Sequence, residues 1–252
     1  MLAWRLSRLS SEQDRTGDER LIRRLVLVSA VGLLVFVLTM TFASVDWVMS
    51  LEPRWSSTIF GPLLISGQAV CAFSFVVAML AVLAHAAPSS ALAEAATPGR
   101  MHDLGKLLFA FVMVWAYFAL SQFLIIWSGN LPEEIPWYLR RTRGGWQWVA
   151  LAVIVLHFAL PFGLLLMRRV KRDARRLLRV ALLVLAMRLV DTWWMIAPAF
   201  GGDGLAFHWM DAAAAAGVGG LWVHLFCRQL ARMPLLPARD PVLLETLSHG
   251  EV

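Results

Sequence analysis

Several ionisable and hydrogen-bonding side chains stand inside long apolar runs, where each needs a partner, a watered cavity or a function. A charge at a bilayer centre costs about 2.5–3.5 kcal/mol on insertion scales. Arg188 and Asp191 lie three residues apart in one such run, so they share a helix face and can pair with each other. The pair either packs the bundle or forms part of a proton path. His157 stands near the middle of another apolar run, as a hydrogen-bonded neutral imidazole or as a titrating relay. Gln68, Tyr117, Ser121 and Gln122 add uncharged groups suited to interhelical hydrogen bonds. Small residues spaced by four, Ala213 with Gly217 and Ala216 with Gly220, permit close helix contact.

Two connecting loops carry a second set of chemistry-bearing residues. The segment Ser44 to Pro53 places Asp46, Trp47 and Glu52 directly after an apolar run, and Asn130 to Arg141 concentrates Glu133, Glu134, Trp137, Arg140 and Arg141 in a Pro-bounded turn. Trp47, Glu52, Asn130, Glu133, Glu134 and Trp137 are the candidates for docking a partner protein or contacting a quinone headgroup. No catalytic or metal-binding set is expected. A haem needs depth-matched axial ligands, whereas His157 and His224 fall at different depths and His85 and His102 lie at a boundary. Cys71 and Cys227 both fall in apolar runs, which predicts core packing and offers no disulfide framework or C-x-x-C metal site.

The elements that must position these residues follow from composition. The 252 residues are 59% hydrophobic and 16% charged, with mean hydropathy +0.66; a soluble enzyme and a disordered chain are both excluded. The sequence predicts an all-α integral membrane protein of about six transmembrane helices in a bundle, at roughly 22–44, 59–85, 104–128, 146–167, 177–199 and 206–230. The predicted organisation is a basic N-terminal segment at 1–21, a six-helix transmembrane domain at 22–230 and a tail at 231–252. Pro88-Ser89-Ser90 and Thr97-Pro98-Gly99 punctuate the second connection, and Gly201-Gly202-Asp203-Gly204 reads as a tight turn. Met1 to Arg24 is polar and carries six arginines, so no cleavable signal peptide is expected and the first span should stay as an anchor.

Of the 23 Lys and Arg, eighteen fall on the side of the N-terminus, including the run Arg168, Arg169, Lys171, Arg172, Arg175, Arg176 and Arg179 and the tail residue Arg239. Only Arg54, Arg140, Arg141 and Arg143 fall on the other side. This asymmetry predicts cytoplasmic termini and contacts between the basic residues and membrane lipid. The short, interspersed clusters do not suggest nucleic acid. Nine of the twelve tryptophans, Trp47, Trp55, Trp127, Trp137, Trp146, Trp148, Trp193, Trp194 and Trp209, fall at outer span ends or in outer loops. They read as membrane anchors or as an outer docking surface.

Within these loops the run Thr41-Phe42-Ala43-Ser44-Val45-Asp46-Trp47-Val48-Met49-Ser50-Leu51-Glu52-Pro53, with Trp55, Ser57, Thr58, Ile59, Phe60 and Gly61, closely resembles the second polysulfide-reductase-like (NrfD-type) membrane subunit of bacterial alternative complex III. So does His102-Asp103-Leu104-Gly105-Lys106-Leu107-Leu108-Phe109-Ala110-Phe111, continuing through Ser121-Gln122-Phe123 and Ile126-Trp127 to Asn130-Leu131-Pro132-Glu133-Glu134. The match covers most of residues 20–200. Members of that family carry more spans than the six read here, and the match falls on their later portion.

The resemblance implies a membrane subunit of a respiratory quinol:cytochrome c oxidoreductase in the bacterial inner membrane. It implies a related membrane subunit, an iron–sulfur subunit and multihaem cytochrome c subunits as partners, with no redox cofactor bound by this chain and with quinone or quinol as a contact. On that reading Asp46, Gln122, His157, Arg188 and Asp191 are the candidate proton path. Two other functions remain open at this point: a purely structural anchor for extracytoplasmic redox subunits, and a stand-alone transporter, for which inverted repeats and broken midplane helices are not evident.

Overall fold

A computed structural model describes residues 2–201, 204–205, 207–232 and 234–236; most of the expected tail, including Arg239, and Gly202-Asp203 of the expected turn lie outside the described residues. The helices are α1 (Leu2–Thr16), α2 (Glu19–Trp47), α3 (Phe60–Ala86), α4 (Ala91–Ala95), α5 (Pro98–Gly129), α6 (Ile135–Arg141), α7 (Trp146–Ala152), α8 (Leu160–Leu166), α9 (Arg168–Arg172), α10 (Ala174–Ile196) and α11 (Trp209–Leu230). A π-helical segment, Val153–Ala159, joins α7 to α8, and no strand occurs among the described residues. Six helices are long and apolar enough to cross a membrane: Glu19–Leu51, Phe60–Ala86, Pro98–Gly129, Trp146–Leu166, Ala174–Ala199 and Trp209–Leu230. These agree with the six predicted spans, and the protein is a multi-pass membrane protein. The third span starts earlier than expected, because Thr97 is not a loop residue but an N-cap. Its Oγ1 accepts from the Arg100 N–H at 3.3 Å, and Pro98 follows at the first helical position, where its missing N–H costs nothing.

The chain divides into two compact units, one built from residues up to Leu38 and from Phe207 onward, the other from Thr39–Ala206. In the first, the N-terminal stretch read as a basic segment is an amphipathic helix. Leu6, Leu9 and Gln13 repeat at three and four residues on its less exposed side, which is one helical face. Gly17, at φ +70°, lets the chain reverse, and the Leu2 side chain then lies directly on Gly32. Helix α11 begins with a reciprocal cap: Asp211 Oδ2 accepts from the His208 N–H at 3.1 Å, and His208 Nδ1 accepts from the Met210 N–H at 3.3 Å. His208 and Asp211 therefore close a helix end. No described residue of α11 is buried, so Cys227 is exposed and does not pack a core as expected, while Cys71 is half-buried.

The second unit packs α3 against both α5 and α10, with the π segment against α10 and α9 against α5. Each long helix buries one stripe at alternating three- and four-residue steps. In α3 it is Phe60, Leu63, Gly67, Val70, Ser74, Val77 and Ala81; in α5 Met101, Gly105, Leu108, Val112, Trp115, Gln122 and Ile126; in α10 Leu177, Ala181, Val184, Arg188, Asp191 and Met195. A 3.5-residue period is the seam of left-handed helix packing. The opposite faces are also apolar, with Val76, Val82, Leu120, Ile125, Leu182 and Leu189 exposed, as lipid contact requires.

Pro161 explains the π segment. It cannot donate to the His157 carbonyl four residues back, and its ring crowds that carbonyl, so the helix widens there. His157, on the widened turn, is fully buried.

Gly67 is a point of close approach, since a Cβ there would collide with the Arg188 guanidinium, whereas a Cβ on Gly163 meets nothing. Gly67→Ala is expected to lower stability by about 1–3 kcal/mol and Gly163→Ala to leave it unchanged or raise it by up to about 1 kcal/mol. Melting temperatures of the two variants in one detergent check the contrast; equal values would remove the close-approach argument.

Candidate functional site

Near the middle of the second unit four helices bring polar side chains onto one buried locus. Arg188 and Asp191 of α10 form an ion pair and hydrogen bond, with both side chains almost wholly enclosed. The Arg188 guanidinium rests against Gly67 of α3 and lies within electrostatic reach of Cys71 on α3 and His157 on the π segment. The Trp115 indole of α5 meets the His157 ring edge-on, centroids 4.3 Å apart at 77°. The Trp115 N–H is within reach of the Asp191 carboxylate without completing a well-aligned hydrogen bond. Among the described residues neither ring nitrogen of His157 has a hydrogen-bond partner. A carboxylate and an imidazole are both proton acceptors, and an arginine beside them holds a permanent positive charge. The arrangement can hold or pass a proton. Among the described residues no three His, Cys, Asp or Glu side chains converge as a metal site.

A second polar centre ties the loop ends of the same unit together. Glu52, from the connection after α2, pairs through Oε1 with Arg141 Nη2 at 2.8 Å and through Oε2 with Arg140 Nη1 at 3.2 Å. Arg141 also donates to the Trp137 carbonyl at 2.9 Å and the Met195 carbonyl at 2.6 Å. Its guanidinium lies 3.8 Å from the Trp137 ring centroid, in cation–π contact. Trp137 stacks on Trp55 at 4.9 Å and 17° and meets Trp194 edge-on at 5.8 Å, while Trp194 Nε1 donates to the Arg141 carbonyl at 3.1 Å. Burial pulls the Arg141 pKa below the usual arginine value, with Glu52 opposing the shift; burial likewise pushes the Tyr138 phenol up. An arginine survives such burial as a cation because its unperturbed pKa is so high.

The predicted proton-path residues separate under this geometry. His157, Arg188 and Asp191 come together. Gln122 lies two turns along α5 from Trp115 and accepts from Ser57 Oγ at 2.5 Å, so it links the site's helix to the loop clamp. Asp46 is exposed and joins neither centre.

The expected docking residues also divide. Trp137 and Glu52 are buried and committed within the chain, so neither is presented to a partner. Trp47 and Glu133 are exposed, Glu134 is half-buried, and Asn130 is the left-handed C-cap of α5 at φ 48°, a conformation asparagine tolerates. Of the tryptophans read as anchors or a docking surface, Trp55, Trp137 and Trp146 are buried, while Trp47, Trp127, Trp148 and Trp209 are exposed. Gln68 and Tyr117 face outward and do not act as glue within this chain.

Sequence reasoning missed Trp115, Gly67 and the Glu52–Arg141 pairing. Only the seven-residue spacing of Trp115 to Gln122 hinted that the two share a face, since seven residues make nearly two turns.

Removing one partner of a buried pair leaves an uncompensated charge, at about 3–5 kcal/mol. Arg141→Ala should therefore lower the melting temperature steeply, while Glu133→Ala, at an exposed position, should stay within about 0.5 kcal/mol of the parent. Unchanged melting of Arg141→Ala would mean that the clamp is dispensable. Against known proteins, no family model matches the chain and no curated protein does so.

Proposed function

We propose that the chain is a membrane subunit of a respiratory quinol:cytochrome c oxidoreductase, akin to the second NrfD-type subunit of bacterial alternative complex III, and that it handles protons through Arg188, Asp191 and His157. The observation that carries the proposal is the buried ion pair next to a histidine whose ring nitrogens have no partner among the described residues. A passive anchor needs no such group, because an ionisable pair in mid-span is expensive and an apolar pair of similar volume serves packing as well. The assignment to a quinol-oxidising complex rests on the resemblance of Thr41 to Gly61 and of His102 to Glu134. Several of those resembling residues touch one another: Trp55 packs edge-on to Phe60 at 5.2 Å, and Ser57 bonds Gln122.

On this reading the iron–sulfur subunit and multihaem cytochromes c carry the electrons, and the protein sits in the bacterial inner membrane beside a related membrane subunit. Quinol oxidation near the outer face releases protons. Within this chain Asp191 accepts a proton, Arg188 stabilises the carboxylate when it is empty, and His157 lies close enough to Arg188 for its protonation to be coupled to that charge. Quinone, where it touches this chain, meets the exposed part of the loops after the first and third spans.

A second reading, a structural anchor for extracytoplasmic redox subunits, draws on the exposed Trp47, Trp127 and Trp148, since exposed tryptophan is favoured at interface hot spots.

Affinity purification of the native, gently solubilised protein through a C-terminal tag should recover iron–sulfur and haem-containing partners, read by mass spectrometry and haem absorbance. A chain that purifies alone would sink the respiratory assignment. Asp191→Asn and His157→Ala should each lower quinol:cytochrome c turnover about 10-fold or more, the lower end of what a positioned proton-transfer group contributes being greater still, with the complex intact. The paired change Arg188→Met with Asp191→Leu keeps the packing volume and separates folding from protons: an assembled but slow complex supports proton handling, and full turnover leaves the anchor.

A further inference from the structure

We propose that the α9 region is a selective binding site for an anionic phospholipid headgroup, an inference that stands independently of the respiratory assignment. The turn between the fourth and fifth spans holds Arg168, Arg169 and Arg172, and the first turns of α10 hold Arg175 and Arg179, all exposed. The one acid in this stretch, Asp173, is already engaged. Its Oδ1 caps α10 by accepting from the Arg175 and Arg176 N–H groups at 3.0 and 3.1 Å, and its Oδ2 pairs with Arg176 at 3.2 Å. On the neighbouring α5, Asp103 is likewise committed, to Lys106 at 2.9 Å.

The backbone that carries these cations is anchored by packing. Val170 is buried in the core, and the Lys171 stem lies across Gly105 of α5, where a Cβ would come within 2.8 Å of Lys171 Cγ. That seating carries Lys171 and Arg172 into electrostatic reach of His102, together with Lys106. Positive charge from two helices therefore meets at one place, at the end of the spans.

Next to Arg168 and Lys106 in the chain, Leu166, Met167 and Leu107 are exposed, an apolar surface at the ends of two spans that acyl chains can cover. Clustered cations next to exposed leucines fit a phosphodiester headgroup attached to hydrocarbon, and basic pockets between spans are where anionic headgroups bind. A nucleic acid would use the charge and leave the leucines uncovered.

The test uses the full chain purified in a neutral detergent, with melting temperature followed as mixed micelles containing phosphatidylglycerol, cardiolipin or phosphatidylcholine are added. Anionic lipid should raise the melting temperature and phosphatidylcholine should not. The effect should weaken with added salt, as expected for exposed charges. Each of Arg168→Gln, Arg169→Gln and Arg172→Gln should weaken the apparent lipid affinity about fivefold, while the corresponding Lys substitutions retain most of it. Equal stabilisation by phosphatidylcholine overturns the selectivity. Reproduction of the shift by inorganic phosphate alone makes the site a general anion site and overturns the lipid assignment. Undiminished binding in the three Gln variants places the lipid elsewhere. Should a Gln variant fail to accumulate, the salt dependence of the parent and the Lys variants decides: a shift insensitive to salt overturns the proposal.

Discussion

An ion pair in the middle of a membrane-spanning helix has to be enclosed, and in this protein that requirement organises the packing of the second unit. Arg188 and Asp191 sit on α10 with both charges out of contact with the surface. A guanidinium is too large to fit between two helices at ordinary separation unless the facing residue is small, and Gly67 supplies the missing space. Trp115 and His157 close the remaining sides from α5 and the π segment. Hydrophobic burial cannot do this sorting, because hydrocarbon tails receive a leucine as readily as a helix interface does. The cost of an unenclosed charge is what distinguishes one face of α10 from the other.

The loop clamp solves a related problem at the helix ends. Connections between spans have few apolar contacts to hold them, yet here Glu52, Arg141 and the Met195 carbonyl join the first loop, the third loop and the end of the fifth span. The aromatic side chains around them exclude water, which strengthens each charge-assisted bond. Tryptophan at the membrane boundary is thus used in two ways in one molecule. Trp55 and Trp137 stack inside as structural plates, and Trp127 and Trp148 remain outside for lipid or protein. Gln122 and Ser57 connect this clamp to the helix that carries Trp115.

The π segment places the histidine through a backbone defect. Pro161 withdraws the hydrogen bond that would have tightened the turn, the helix gains width, and His157 lies in the widened part. The proline and the histidine are four residues apart in the sequence, so the local cause was visible in the chain; the direction in which the imidazole would be turned was not, because that depends on α5 and α10 meeting at the same depth.

What the amino-acid sequence determined by itself was the class of molecule: six apolar runs of spanning length, the Pro- and Gly-marked connections between them, and the i, i+3 relation that puts Arg188 and Asp191 on one face. These are properties of consecutive residues, set by backbone hydrogen bonding and side-chain period. The buried cluster was legible in part, since an ionisable residue in an apolar run announces itself, but its neighbours Trp115, Gly67 and Cys71 carry no such mark. The loop residues were legible as unusual, but not which of them turn inward: Glu52 and Trp137 do, because Arg141 lies eighty-nine residues away in the chain and only the folded helices bring it opposite Glu52. Tertiary structure alone decided which stripe of each helix was enclosed. In a membrane the buried and the lipid-facing residues are equally apolar, so the pattern that identifies a soluble core is absent, and the small and polar residues acquire their meaning only from what stands across from them.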